Sequence, residues 1–261
     1  MPLSPELKYF PMITGKFITS GLLPEVVASL VSRKPERDFV ADARRLVSEF
    51  KKDRNITIEG LEKIPKGGII FFNHPNMDVL MPGMLDLIVR LHETSEINVS
   101  LVMASEIMIA ASFNDKQAIP GSVKFMERFH KMYYPNIISA PTVTGRKDFL
   151  NGRAVAVRKI MNTVSNGNLV IISPEGHIEK GNEISPISTF HSGSGALGRF
   201  ATKLGIPGIQ VAFWSMGPKF DILVRIGDPF WVDLDDDNLA TDEIMRRVAR
   251  LMPVELRGPY K

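Results

Sequence analysis

From residue 56 onward the chain alternates short apolar runs with longer stretches of helical period, and this alternation constrains the fold more than any other feature. The runs "ITIEGL" (56–61), "IIFFN" (69–73), "NVSLVMA" (98–104), "NIISA" (136–140), "LVIIS" (169–173), "GIQVAFW" (208–214) and "DILVRIG" (221–227) read as strands. Between them, Met77 to Leu91, Gly121 to Met132, Phe149 to Val164 and Ala196 to Leu204 carry helical spacing. Strand and helix in turn predict an α/β domain: a mixed, largely parallel sheet flanked by helices. The acidic run "DLDDDN" (233–238) is expected to end the sheet region and cap a last helix near 241–252. Ahead of the α/β domain, assigned residues 55–261, residues 1–54 are expected to form a helical amino-terminal arm. Its segment "YFPMITGKFITSGLLPEVVASLVSR" suits either a membrane interface or packing on the protein's own core. In "RDFVADARRLVSEFKK", Phe39, Ala43, Leu46 and Phe50 lie on one face of an amphipathic helix.

Composition narrows the partners. With 44% hydrophobic and 23% charged residues in 261, the chain is globular and long enough to bury a sizeable core. Its formal charge is 32 − 29 = +3. That small excess, with no long Lys/Arg block, suits phosphate-bearing ligands or an anionic membrane surface, and no nucleic-acid partner is expected. The absence of cysteine removes disulfides, thiolate nucleophiles and thiolate metal sites. No window holds 18 apolar residues in a row and the start lacks the pattern of a signal peptide, so the chain is expected to lie on a membrane rather than span it.

In sheets of this kind the working residues gather just past the carboxyl ends of strands. Three groups fall there. Asn73, His74 and Asp78 follow "IIFF"; Gly145, Arg146 and Lys147 follow "NIISAPTVT"; Pro174, Glu175, Gly176 and His177 follow "LVIIS". If a helix starts near Pro75, His74 and Asp78 are about one turn apart. A carboxylate on one ring nitrogen then frees the other to take a proton, making a general base. A helix-capping aspartate beside a structural histidine explains the pair equally well. The fork of Arg146 suits a phosphate, with Lys147 adding a point charge. Glu175 stands in a rigid turn whose Gly176 lets a ligand approach the backbone, and it can orient a hydroxyl or pair with Arg146.

These blocks in order resemble the glycerolipid acyltransferase family, of the lysophosphatidic acid acyltransferase type, over about residues 56–232. "GLEKIP" before the histidine strand, "NHPNMD", Arg146 after its strand, "SPEGH" and "GALGRFATKLGIPGIQVAF" carry the resemblance. It implies an α/β acyltransferase, peripheral on the cytoplasmic face of a membrane, that needs no cofactor and no metal. His74, oriented by Asp78, would deprotonate a lysophospholipid or glycerol-phosphate hydroxyl for attack on an acyl-CoA or acyl-carrier-protein thioester. Asn73, Arg146, Lys147, Glu175, Gly176 and His177 would bind substrate. The chain departs from the family in three places. Three residues, not four, separate His74 from Asp78; His177 and Ile178 replace Thr and Arg; and Gln210 replaces a proline.

Other readings compete. A lipid-binding protein that keeps this fold without turnover is one. A metal-dependent hydrolase using His74, Asp78 and His177 is another. "GSGALG" (193–198) fits the dinucleotide fingerprint, but no convincing strand precedes it. The His-x3-Asp spacing also fits the chloramphenicol acetyltransferase-like group, although Val79 stands where that motif has glycine.

Overall fold

The protein was analysed as a computed structural model that describes residues 15–32, 36–110, 116–142, 147–175, 183–184, 193–217 and 221–261, with backbone alone for 108–110 and 116–118. After a helical turn at 15–19, the elements in chain order begin with α1 (Leu22–Val31), α2 (Phe39–Phe50), β1 (Ile56–Glu59), β2 (Gly68–Phe72) and α3 (Met77–Ser95). β3 (Val99–Ala104), β4 (Met108–Ala110), β5 (Lys116–Ala118), α4 (Ser122–Met132) and β6 (Ile137–Ala140) follow. The chain closes with α5 (Phe149–Ser165), β7 (Leu169–Ile172), α6 (Gly193–Lys203), β8 (Gly208–Met216), β9 (Asp221–Phe230) and α7 (Asp237–Arg250).

Seven strands form one sheet in the order β1-β9-β8-β2-β7-β3-β6. β8, β2, β7, β3 and β6 run parallel, whereas β9 pairs antiparallel with β8 and parallel with β1. The sheet is therefore mixed and largely parallel, as the alternation predicts. Helices cover both faces, so β2 is buried at every residue and its sequence is a continuous apolar run. Ile70, Phe72, Leu169 and Ile171 point into the layer under α2 and α3; Ile69, Phe71 and Val170 point into the layer under α5, α6 and α7.

The elements expected from the sequence are present, with informative shifts. α3 starts at Met77 rather than at Pro75, because Asn76 takes the capping position and its carbonyl accepts from the N–H groups of Val79 and Leu80. α6 starts at Gly193, ahead of the expected Ala196: its glycines let it press against α7, where Gly195 N donates to Thr241 Oγ1 at 2.9 Å. "GSGALG" is thus the first turn and a half of a packed helix. α7 starts at Asp237, four residues before 241, with the Asp236 carboxylate accepting from Asn238 and Leu239 N–H. The β4–β5 hairpin has no counterpart among the expected strands; three residues are too few for a period to register.

Leu22 and Val26 of α1, and one face of α2, are buried in the same apolar layer as β2 and α3. Ion pairs tie this region down. Arg37 donates to both oxygens of Asp42 at 2.6 and 2.8 Å and to Glu25 at 2.7 Å, and Tyr133 Oη donates to Asp42 at 2.8 Å. Asp42 and Tyr133 are both buried, and burial together with the Asp42 charge pushes the Tyr133 hydroxyl well above its usual range.

His130, in the last turn of α4, is buried, and neither ring nitrogen has a hydrogen-bond partner among the described residues. Burial and, secondly, the Lys159 charge lower its pKa from 6.5 to about 4, against the opposing charge of Glu106. Its neutral form stabilises the fold fully above pH 6.5. As pH falls from 6.5 toward 4, the unfolded chain takes up a proton that the folded chain refuses, so this contribution is lost. His130→Phe is expected to remove roughly 2 kcal/mol of that acid sensitivity, allowing for partial water access. Urea unfolding of both proteins at pH 7 and pH 4.5 checks it, and parallel curves would show that the ring titrates normally.

Candidate functional site

The carboxyl ends of β8, β2, β7, β3 and β6 lie along one edge of the sheet, and the loops leaving them carry the polar residues. Past Phe72 the chain makes a short loop, Asn73 to Asn76, before α3. That loop is held from both sides. The Asn73 side chain is fully buried and bridges to β8: its Nδ2 donates to Phe213 O at 2.9 Å, and Phe213 N donates to its Oδ1 at 2.8 Å. On the other side the His74 N–H donates to Glu175 Oε2 at 2.5 Å, and Glu175 is fully buried just past β7. The His74 ring, partly exposed, stacks on Phe72 with centroids 6.1 Å apart. Asn73 and Glu175 thus brace the backbone that presents His74.

Asp78 is the second residue of α3, partly buried. Burial raises its carboxyl pKa; the Arg54 charge and the N–H groups of Asp78 and Val79 pull it back down. Arg54 Nη1 also donates to the Asp78 carbonyl at 2.8 Å. Asp78 Oδ1 is buried without a hydrogen-bond partner among the described residues. The contact that makes a dyad, imidazole N–H to Asp78 carboxylate, is not among the hydrogen bonds of the described residues. Asp78 holds a first-turn position suited to the helix dipole.

His74 lies on the wall of a cavity of about 650 Å³, within the roughly 300–1,000 Å³ usual for ligand sites. Most of the wall is apolar: Phe39 and Leu46 from α2, Leu80 and Met84 from α3, Leu101 and Met103 from β3. Polar groups interrupt it at few places. Glu106, buried just past β3, accepts from Thr142 N at 2.7 Å, from Thr142 Oγ1 at 2.8 Å, and from the Ser105 hydroxyl. Arg153 of α5 reaches the wall with its guanidinium 4.6 Å from the Phe149 ring centroid, and partial burial lowers its pKa. Ser173, past β7, also borders the cavity, and its hydroxyl oxygen is buried without a partner among the described residues.

Of the residues expected from sequence, Asn73, His74 and Glu175 converge on one loop, and Asp78 stands at the start of the adjoining helix. Lys147 is exposed in the turn before α5. Arg146, Gly176 and His177 lie outside the described residues. Among the described residues no group of three or more His, Asp or Glu side chains could hold a metal ion, and His177, the third ligand of the hydrolase reading, is not one of them. Glu106 and Arg153 were not expected. Glu106 carries the signal that singles out His74 and Glu175, since it ends the run "NVSLVMASE" just past a strand's carboxyl end; Arg153 carries none, as an arginine on an amphipathic helix is ordinarily solvated.

No protein-family model matches the chain, and no curated protein matches it. Among solved structures, the chain is similar to the crystal structure of the 1-acyl-sn-glycerophosphate (LPA) acyltransferase PlsC from Thermotoga maritima, at 18% sequence identity and a TM-score of 0.48, covering 93% of this chain and 91% of that one.

Proposed function

We propose that the protein is an O-acyltransferase that moves a fatty acyl group from a thioester to the hydroxyl of a lysophospholipid or glycerol phosphate. The observation that carries this reading is the meeting of a largely apolar 650 Å³ cavity with a rigidly presented histidine at the carboxyl edge of the sheet. A chain-shaped apolar ligand fills such a cavity, and its carboxyl-derived end comes to lie where the imidazole can act. In the reaction, His74 takes the proton from the acceptor hydroxyl and the oxygen bonds to the thioester carbonyl carbon. The resulting tetrahedral centre collapses with loss of the C–S bond, and the departing thiolate recovers the proton from the imidazolium. Asp78 turns toward the ring and fixes its tautomer, for which its buried Oδ1 has an acceptor position to offer. Arg146 and Lys147 hold the acceptor phosphate, Gly176 and His177 shape its pocket, and Asn73 and Glu175 keep the His74 loop in place. The donor is acyl-CoA or acyl-carrier protein, and no cofactor or metal takes part. The protein works as a peripheral protein at the cytoplasmic face of a membrane. Among the described residues no helix is long and apolar enough to cross a bilayer.

Thiol release from acyl-CoA, measured with and without a lysophosphatidic acid acceptor, tests this function. Acceptor-dependent release is expected. Met103→Trp, which puts an indole into the apolar wall, is expected to shift preference toward shorter acyl chains by about tenfold in kcat/KM, or ~1.4 kcal/mol. An unshifted chain-length profile would remove the chain from this cavity. The Asp78 Oδ1, buried without a hydrogen-bond partner among the described residues, favours a second reading, a lipid-binding protein without turnover; tight binding of acyl chains with no thiol release over a broad panel of donors and acceptors would establish it.

A further inference from the structure

The lip of the cavity carries a surface that the catalytic reading does not use. Leu150 of α5 is 78% exposed and Val157, two turns on, is 43% exposed. Ile107 and Ile119, at the base of the β4–β5 hairpin and joined by an Ile119 N–H to Ile107 carbonyl bond of 2.8 Å, are 43% and 36% exposed. Ile107, Val157 and Arg153 also line the cavity; Leu150 lies one turn before Arg153 on α5 and Ile119 is bonded to Ile107, so both stand just outside that wall. Arg153 lies on the same flank of α5 as Leu150 and Val157, at spacings of three and four, and has no carboxylate partner among the described residues. α5 contains Arg153, Arg158 and Lys159 and no acidic residue; the nearest acid is Asp148 in the turn before it. Four large apolar side chains exposed on two elements that both border one opening form the kind of patch that marks an interaction surface. Cations on a stem that can extend past apolar neighbours are the usual companions of such side chains at a lipid interface.

We propose that this lip, Leu150, Arg153 and Val157 with Ile107 and Ile119, is the face that rests on an anionic lipid surface. The inference builds on the acyltransfer reading and locates its membrane contact at the cavity mouth. Leu150 and the two isoleucines enter the interface between headgroups and acyl chains, while Arg153 pairs with lipid phosphate. An acyl chain then passes from bilayer to cavity without exposure to water. Charge complementarity selects an anionic lipid surface over a protein partner: the helix on the lip carries cations only, and the opening it borders is lined for apolar chains.

Flotation with vesicles of phosphatidylcholine alone, or of phosphatidylcholine with phosphatidylglycerol, tests the inference on the full chain. The wild type is expected to float with the phosphatidylglycerol vesicles, less so as salt rises. The double variant Leu150→Glu, Ile119→Glu is expected to lose at least tenfold in partition while turning over a short, water-soluble acyl thioester at the wild-type rate, because neither residue borders the cavity. Arg153→Glu is expected to weaken binding to the phosphatidylglycerol vesicles alone. Equal flotation of the double variant and the wild type overturns the inference, and so does a wild type that floats with neither vesicle. Val27→Glu on α1 shows in the first case whether the arm carries the binding instead. Vesicle binding lost in the double variant, from a wild type without thioester turnover, keeps the docking face and removes only the acyltransfer reading.

Discussion

His74→Ala is expected to lower acceptor-dependent thiol release by about 10³-fold, within the roughly 10²–10⁴ that a positioned general base contributes. The loss should fall on kcat, because imidazole acts on the proton in the transition state while the acyl chain remains held by the apolar wall. Folding is expected to survive: the ring is partly exposed, and the bond that fixes the loop comes from its backbone N–H rather than from the imidazole. Measured together, kcat, acyl-chain affinity and Tm separate the roles. A residual rate within tenfold of the wild type ends the general-base assignment, and a collapse of Tm returns His74 to a structural role. Asp78→Asn gives the companion result. If the carboxylate comes onto the ring during turnover, activity falls while stability holds or rises, since the folded state then no longer keeps a partly desolvated carboxyl.

Gly195→Ala is expected to cost on the order of 3 kcal/mol or more in stability, lowering Tm by roughly 10 °C. A β-carbon there overlaps the Asp237 carbonyl and comes within 2.6 Å of Thr241 Oγ1 and 2.7 Å of Thr241 N, in the seam where α6 packs on α7. Both helices must move apart, and Gly195 N loses its bond to Thr241. The apolar layer under them includes Phe71 and Ala212 of the central strands, so the penalty reaches the sheet. Thermal unfolding checks it. An unchanged Tm would mean that the seam is loose, and would leave the glycines of "GSGALG" without a packing reason.

The strands were legible because helices on both faces turn each parallel strand into an unbroken apolar run, as in "IIFF" and "LVII". Helix starts were less so. Pro75 advertises a first turn, but Asn76 after it competes for the capping position and wins; the glycines before Ala196 look like a loop until α7 supplies the surface they pack against. At the site, the strand-end rule located His74 and Glu175, and the same rule applied to β3 finds Glu106. The link between them escaped it: the His74–Glu175 bond spans 101 residues and the Asn73–Phe213 bridge 140. Glu175 read as a group for substrate, and in the fold one of its oxygens is engaged with the His74 backbone. Such pairings follow from strand order, here β8-β2-β7, and strand order is written in no local pattern.

The short bond from the His74 N–H to the buried Glu175 carboxylate also provides a built-in spectroscopic probe. An amide proton held at an N···O distance of 2.5 Å by a buried carboxyl oxygen is deshielded beyond its neighbours, and exchanges with solvent only when the loop opens. One resolved resonance in a proton–nitrogen correlation spectrum thereby monitors the loop carrying the imidazole. Its shift and exchange rate through a titration with acyl chains reveal whether filling the cavity tightens or releases the loop, with no label placed at the site.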